Sequence, residues 1–337
     1  MKTKLHILLI IALSLVWLIL PQTIVKAEGD YYVDIINGDD SNSGTLDKPF
    51  RTIHKARDTI RETNAKGITV YIRKGVYYLS KPLEFNQYDS GNTYRSYPGE
   101  KVVISGGKLL STEEYPWEIY QGNIYKCAVG EHEFRSLWVD GKRAIRAREP
   151  DENPGTDYLD YYISTETPDA SQAMGFSDGD INENWTNFNS VEVQFLREFT
   201  SPRKPIAYCA SNAVWFSKPV GSGFCYFYPG NRYWIENVFE GLDEPGEWYL
   251  NTSTNELYYY PVDGKNPNTS TIIAGNLGYN ASRLVGTLVH ITNLENVTFQ
   301  GLIFSHGDWY ISSNGWSGFE SEVNDADGIP DWMGTGP

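Results

Sequence analysis

The chain has 337 residues, with 28 basic and 43 acidic side chains and a formal net charge of −15. A surface this negative repels nucleic acid and anionic lipid and excludes both as general partners. Three cysteines, none in a zinc-ligand or CxxC spacing, exclude a disulfide scaffold and a structural zinc site, although Cys209 and Cys225 are free to pair after export.

Residues 1–27 read as a signal peptide. Lys2 and Lys4 precede the apolar run ILLIIALSLVWLIL (7–20), Pro21 ends it, and Val25 and Ala27 are the small residues of a cleavage site after Ala27. A spanning helix wants about 20 apolar residues. The expectation is therefore a secreted, extracellular protein with no membrane association after cleavage. Loss of the three leader lysines takes the net charge from −15 to −18.

The mature start, YYVDIINGDDSNSGTLDKPF (31–50), predicts a strand and a turn-rich segment. RTIHKARDTIRETNAKG (51–67) predicts a helix: Thr52 caps it, Ile53, Ala56 and Ile60 share a face, and Gly67 stands past its end. Short strands with Gly, Pro or Asn corners follow in 68–85 and 93–107. The pattern returns in TLVHITNLENVTFQGLIFSH (287–306), with three strands in about 20 residues. That rhythm predicts an all-β fold, a right-handed parallel β-helix whose N-terminal helix caps the open first coil. Coils occupy 28–110 and 263–320. The stretch 111–262, with longer strands such as VEVQFLR (191–197) and the hairpin EWYLNTSTNELYYYP (247–261), predicts an inserted β-rich domain. Residues 321–337 read as an acidic tail or a truncated end.

With 10 Trp, 24 Tyr and 14 Phe, the composition suits either sugar-stacking surfaces or well-filled β cores. The most concentrated chemistry is GLIFSHGDWYISSNGW (301–316). His306, Trp309 and Trp316 are the candidate polysaccharide-binding residues, with core packing of the two tryptophans as the alternative. Asp308 is suited to act as acid, base or hydrogen-bond partner, or else caps its own turn; Glu320 is the second carboxylate in reach. Within KRAIRAR (142–148), Arg146 and Arg148 share a strand face and face either a uronate or acids of the following loop. DADGIPD (325–331) spaces Asp325, Asp327 and Asp331 like an Asp-rich calcium loop, without the EF-hand pattern. Calcium is the one cofactor the sequence leaves open.

The opening segment resembles that of exported carbohydrate-active β-helix proteins of the pectate-lyase-like superfamily. DSGNTYRSYPGEKVVISGG (89–107), LWVDGKRAIRARE (137–149), RYWIENVFEGLDEPGEWYLNTSTNELYYYP (232–261) and VTFQGLIFSHGDW (297–309), in that order, resemble glycoside hydrolase family 141. The resemblance implies a glycoside hydrolase, with α-L-fucosidase or xylanase activity on plant cell-wall polysaccharide. It covers nearly all of 30–316 and places the family's proposed catalytic carboxylates beyond Pro337, with no matching position here. Two other readings stand beside it: a polysaccharide lyase on the same fold, and a non-catalytic glycan-binding module.

Overall fold

The computed structural model describes residues 29–151, 160–198, 200–220, 226–275, 287–309, 315–319 and 322–325. Among these the chain is mostly β, with one α-helix. It divides into two compact units, one of 1–75, 84–102 and 291–302, the other of 76–83, 103–290 and 303–337. The cleavage site at Ala27, Cys225, Glu320, Asp327 and Asp331 lie outside the described residues.

The first unit is organised by a parallel sheet of Tyr31–Val33, Thr69–Ile72, Thr93–Ser96 and Thr298–Gln300, in that order. Registered parallel strands bring like positions into columns. Val70, Tyr94 and Phe299 align on the buried face, where Tyr94 and Phe299 stack at 5.8 Å and Phe85 meets both edge-on. Tyr32, Tyr71 and Arg95 align on the other face, with the two rings stacked at 5.4 Å. Thr69 lies beside Thr93, so one circuit of the chain takes 24 residues.

The helix runs Ile53–Thr63, with the Thr52 hydroxyl accepting from the Lys55 N–H and Ile53, Ala56 and Ile60 buried as the spacing predicts. It ends earlier than Gly67. Asn64 adopts the left-handed conformation at φ 50° and its N–H closes the last turn on Ile60 and Arg61. Arg57 and Arg61 then bond the Glu84 carbonyl, and Arg61 forks onto the buried Asp89 carboxylate at 2.6 and 2.8 Å.

The second unit contains most of a three-stranded sheet, ordered Leu302–Ser305, Val102–Ser105, Gly75–Tyr78. Ile303 and Phe304 on its outer strand are 43% and 41% exposed. Most of the rest is antiparallel, although Ile145–Arg146 pairs in parallel with Glu247 and Trp248. One sheet joins Arg148–Glu149, Arg232–Glu236, Glu192–Leu196, Arg203–Ala210, Ala213–Phe216 and Ala173–Gly175 over a core of Val193, Phe195, Phe216, Phe227 and Ile235. A second contains the predicted hairpin, Glu247–Asn251 with Glu256–Tyr259, continued by Ile124–Ala128 and Glu118–Gln121. A third pairs Leu137–Val139 with Lys142–Arg143 and Ile272–Gly275. Residues 322–325, expected to be solvated tail, instead form a strand, Glu322–Asp325, paired with Trp316–Phe319.

Candidate functional site

His306, Asp308 and Trp309 follow the strand Leu302–Ser305 and each is fixed by a residue distant in sequence. His306 has φ 58°, in the left-handed region that only a few residue types enter without cost. Its Nδ1 stands 2.9 Å from the Ser105 hydroxyl and its ring meets Trp138 edge-on at 5.0 Å. Burial pushes its pKa down, which keeps the imidazole neutral at physiological pH.

Asp308 draws on the Trp309 N–H of its own turn and is also tied to a distant segment. Its Oδ2 accepts the Arg135 backbone N–H at 2.9 Å, across 173 residues, and its Oδ1 is buried with no hydrogen-bond partner among the described residues. Burial raises its pKa, with the Arg135 N–H working the other way. Space for this carboxyl exists because residue 275 is glycine: a Cβ there would lie 2.7 Å from Asp308 Cγ and 2.8 Å from Oδ2. Gly275→Ala is therefore expected to displace Asp308, break its bond to Arg135 and lower stability by about 1–3 kcal/mol; thermal unfolding of the variant measures it.

Trp309 is 37% exposed, yet it is not a bare platform. The guanidinium carbons of Arg135 and Arg203 stand 4.3 and 5.3 Å from the centre of its ring system. Part of its face is given to cations, each such contact being worth about 0.5–2 kcal/mol.

Beneath these arginines lies a charge cluster. Glu192 and Glu236 are directly opposite in the antiparallel ladder, an arrangement that like charges disfavour. Three guanidinia reverse the balance. Arg135 forks onto both Glu192 oxygens, Arg203 onto both Glu236 oxygens, and Arg146 bonds Glu192 at 3.2 Å and stands 3.8 Å from Glu236. Burial alone would raise the Glu192 carboxyl, but Arg146, Arg135 and Arg203 outweigh it and hold it at about 2. Glu236 is also held below the usual carboxylate range, its burial outweighed chiefly by Arg203. Both are thus ionised at working pH and neither is a proton donor. Three guanidinia thus face two glutamates beside Trp309, with the Asp308 carboxyl held on the Arg135 backbone. Arg146, expected to pair with acids of the following loop, pairs with these two strand glutamates; Arg148 bonds the Pro150 and Asp160 carbonyls and lies over Trp234.

A second carboxyl group was not foreseen. Asp151, Asp243 and Glu247 each bring an oxygen within 4.8 Å of the others, a donor set of the kind calcium takes. Burial pushes Glu247 up to about 8, with Asp151 and Asp243 adding to the shift against the N–H groups of residues 243 and 244. Glu247 is thus largely protonated at neutral pH. It is only 1% exposed, however, which closes it to a substrate oxygen. Of the other sequence candidates, Trp316 and Asp325 are described in backbone alone, opposite one another in the terminal hairpin, with Trp316 also opposite Arg203.

No family model matches the chain. Over 89 residues it is 39% identical to the uncharacterized protein YwoF of Bacillus subtilis (strain 168), a match spanning 26% of this chain and 18% of that protein. Its structure is similar to one described as a glycoside hydrolase, with a TM-score of 0.68 and 22% identity over 87% of this chain and 53% of the other. A complex of XylC with xylose aligns at a TM-score of 0.37 and 17% identity, over 82% and 35% of the two chains. The chain thus shares its fold with the first of these structures and spans about half its length.

Proposed function

We propose that the protein is a secreted carbohydrate-active protein of the glycoside hydrolase type, acting on plant cell-wall polysaccharide and allied to glycoside hydrolase family 141. The fold shared with a glycoside hydrolase carries the reading. Its scaffold on this proposal is a right-handed parallel β-helix with a capping helix, coils in 28–110 and 263–320, and an inserted β-rich domain between them. The registered parallel ladder supports that, as does the 24-residue circuit. A further coil would cover the exposed Ile303 and Phe304.

In this proposal His306, Asp308 and Trp309 form the glycan-contacting surface. Asp308 holds the strand end against Arg135, neutral His306 offers a ring nitrogen, and the open part of Trp309 packs on a pyranose C–H face. The guanidinia under Trp309 draw in acidic residues of a wall polysaccharide. A non-catalytic binding module is the second reading. It is favoured by one observation: the closest carboxyl trio among the described residues is sealed by Glu247.

Incubation of the chain with xylan, fucosylated wall glycan and pectin separates the possibilities. New reducing ends without an ultraviolet-absorbing product support hydrolysis. An unsaturated product would mean a lyase, and binding without cleavage would mean the module. Trp309→Ala is expected to weaken polysaccharide binding about tenfold, as loss of roughly 1.4 kcal/mol of stacking implies; affinity electrophoresis reads it directly.

A further inference from the structure

A cavity of about 420 Å³ opens beside the turn that joins Glu118–Gln121 to Ile124–Ala128. Its walls include Tyr120, Asn123, Phe239, Leu242, Asp243 and Tyr260. None of these belongs to the His306–Asp308–Trp309 cluster. The floor is firm: Leu242 is buried with Tyr249 and Tyr258, and Phe239 and Tyr260 pack against them. Tyr120 is 42% exposed, but its ring is held edge-on to Tyr258 at 5.1 Å and to Phe239 at 5.8 Å. An exposed aromatic with a fixed orientation loses little entropy when a ligand packs on it.

The polar groups around this wall are of two kinds. Gln121 and Asn123 are exposed amides, each able to donate and accept, and Asn123 Nδ2 reaches the Tyr260 hydroxyl at 3.4 Å. Asp243 adds an exposed carboxylate that continues into Asp151 and Glu247. Aromatic walls with a few amides and a carboxylate match a ring that is apolar on its faces and hydroxylated at its edge. Charge narrows the choice further. The exposed Asp243 carboxylate disfavours a carboxylated sugar, while the Lys126 ammonium, 6.0 Å from the centre of the Tyr120 ring, is already paired with Glu256 and Glu118.

We propose that this cavity is a binding site for a neutral pyranose unit of an oligosaccharide, using Tyr120 and Phe239 for its C–H faces and Asn123 and Asp243 for its hydroxyls. It extends the glycan reading to a place the chemistry at Trp309 does not reach, and the two select different sugars: neutral ones here, acidic ones there.

The test is isothermal titration of the whole chain with a β-1,4-linked xylose hexamer, an oligogalacturonate of equal length and tetramethylammonium. Tyr120→Ala, Tyr120→Phe and Asn123→Ala are compared in both the native and the Trp309→Ala background. The expected result is binding of the neutral hexamer, weakened at least tenfold by Tyr120→Ala and severalfold by Asn123→Ala. Tyr120→Phe keeps the ring and should retain it, which separates lost contact from lost fold. The Tyr120 effect should persist in the Trp309→Ala background, and oligogalacturonate should not compete. Hexamer binding that depends on Trp309 and is indifferent to Tyr120 would overturn the proposal while leaving the glycan reading intact. So would Tyr120-dependent binding of oligogalacturonate or tetramethylammonium, or no hexamer binding at all; the reducing-end assay judges the wider reading separately.

Discussion

Replacing Glu192 with alanine is expected to destabilise the protein by about 3–5 kcal/mol, the range found when one partner of a buried ion pair is removed. Glu192 is 5% exposed and pairs with Arg135, Arg146 and Arg203 at once. Its loss leaves three guanidinia facing Glu236 alone, in a site too dry to screen them. Arg135 and Arg203 also hold Trp309, so the strand end carrying Asp308 loosens with the cluster. Urea unfolding followed by tryptophan fluorescence measures the loss. The pH dependence provides a second check. The Glu192 carboxyl is held at about 2 when folded, against an ordinary glutamate value of 4.5. Its contribution is therefore present above about pH 4.5 and disappears as the pH falls through 2. Glu192→Ala should flatten that acid limb; a variant that keeps both full stability and the acid limb would show that the cluster contributes nothing.

Glu247→Gln is expected to act in the opposite direction. The folded carboxyl titrates at about 8 and the unfolded one near 4.5, so folding takes up a proton between these values. Below about pH 4.5 both states are protonated and Glu247 has no pH-dependent effect. Stability then declines as the pH rises, and above 8 the loss is complete, at a ceiling of about 5 kcal/mol. A glutamine, which never ionises, removes the decline. The variant should match the native protein near pH 4 and surpass it increasingly toward pH 9, read as a growing gap in melting temperature. Glu149 and Asp151, also raised by burial and by neighbouring carboxylates, contribute with the same sign and remain in the variant. Equal melting temperatures at pH 9 would mean that Glu247 is ionised in the folded protein, as a bound cation would make it.

The local parts of this fold were legible in the sequence because local forces set them. Thr52 followed by Ile53, Ala56 and Ile60 specifies a capped amphipathic helix, and the Lys-Gly and Pro-Gly corners specify where strands break. The helix end was misplaced because Asn64 takes the left-handed cap that Gly67 had been expected to follow. The charge cluster was not legible. In VEVQFLR, Glu192 and Gln194 alternate with apolar residues and suggest a wet strand face, yet both are buried, 5% and 6% exposed. What covers them comes from Arg135, Arg146 and Arg203, whose positions depend on pairings between distant strands. Asp308 makes the same point: its chemical type suggested a functional role, but its bond to residue 135 and the space left by Gly275 are products of the tertiary fold. Glu247 in EWYLN gave no sign of its burial or of its two acidic neighbours.

The central claim, that the strand end bearing His306, Asp308 and Trp309 contacts glycan, is tested most directly by affinity electrophoresis in gels cast with soluble wall polysaccharides. The native chain and Trp309→Ala are run side by side, with a gel lacking polysaccharide as reference. Retardation of the native chain, reduced about tenfold in apparent affinity by the substitution, is the predicted result. Equal retardation of both proteins, or none for either, would contradict the claim.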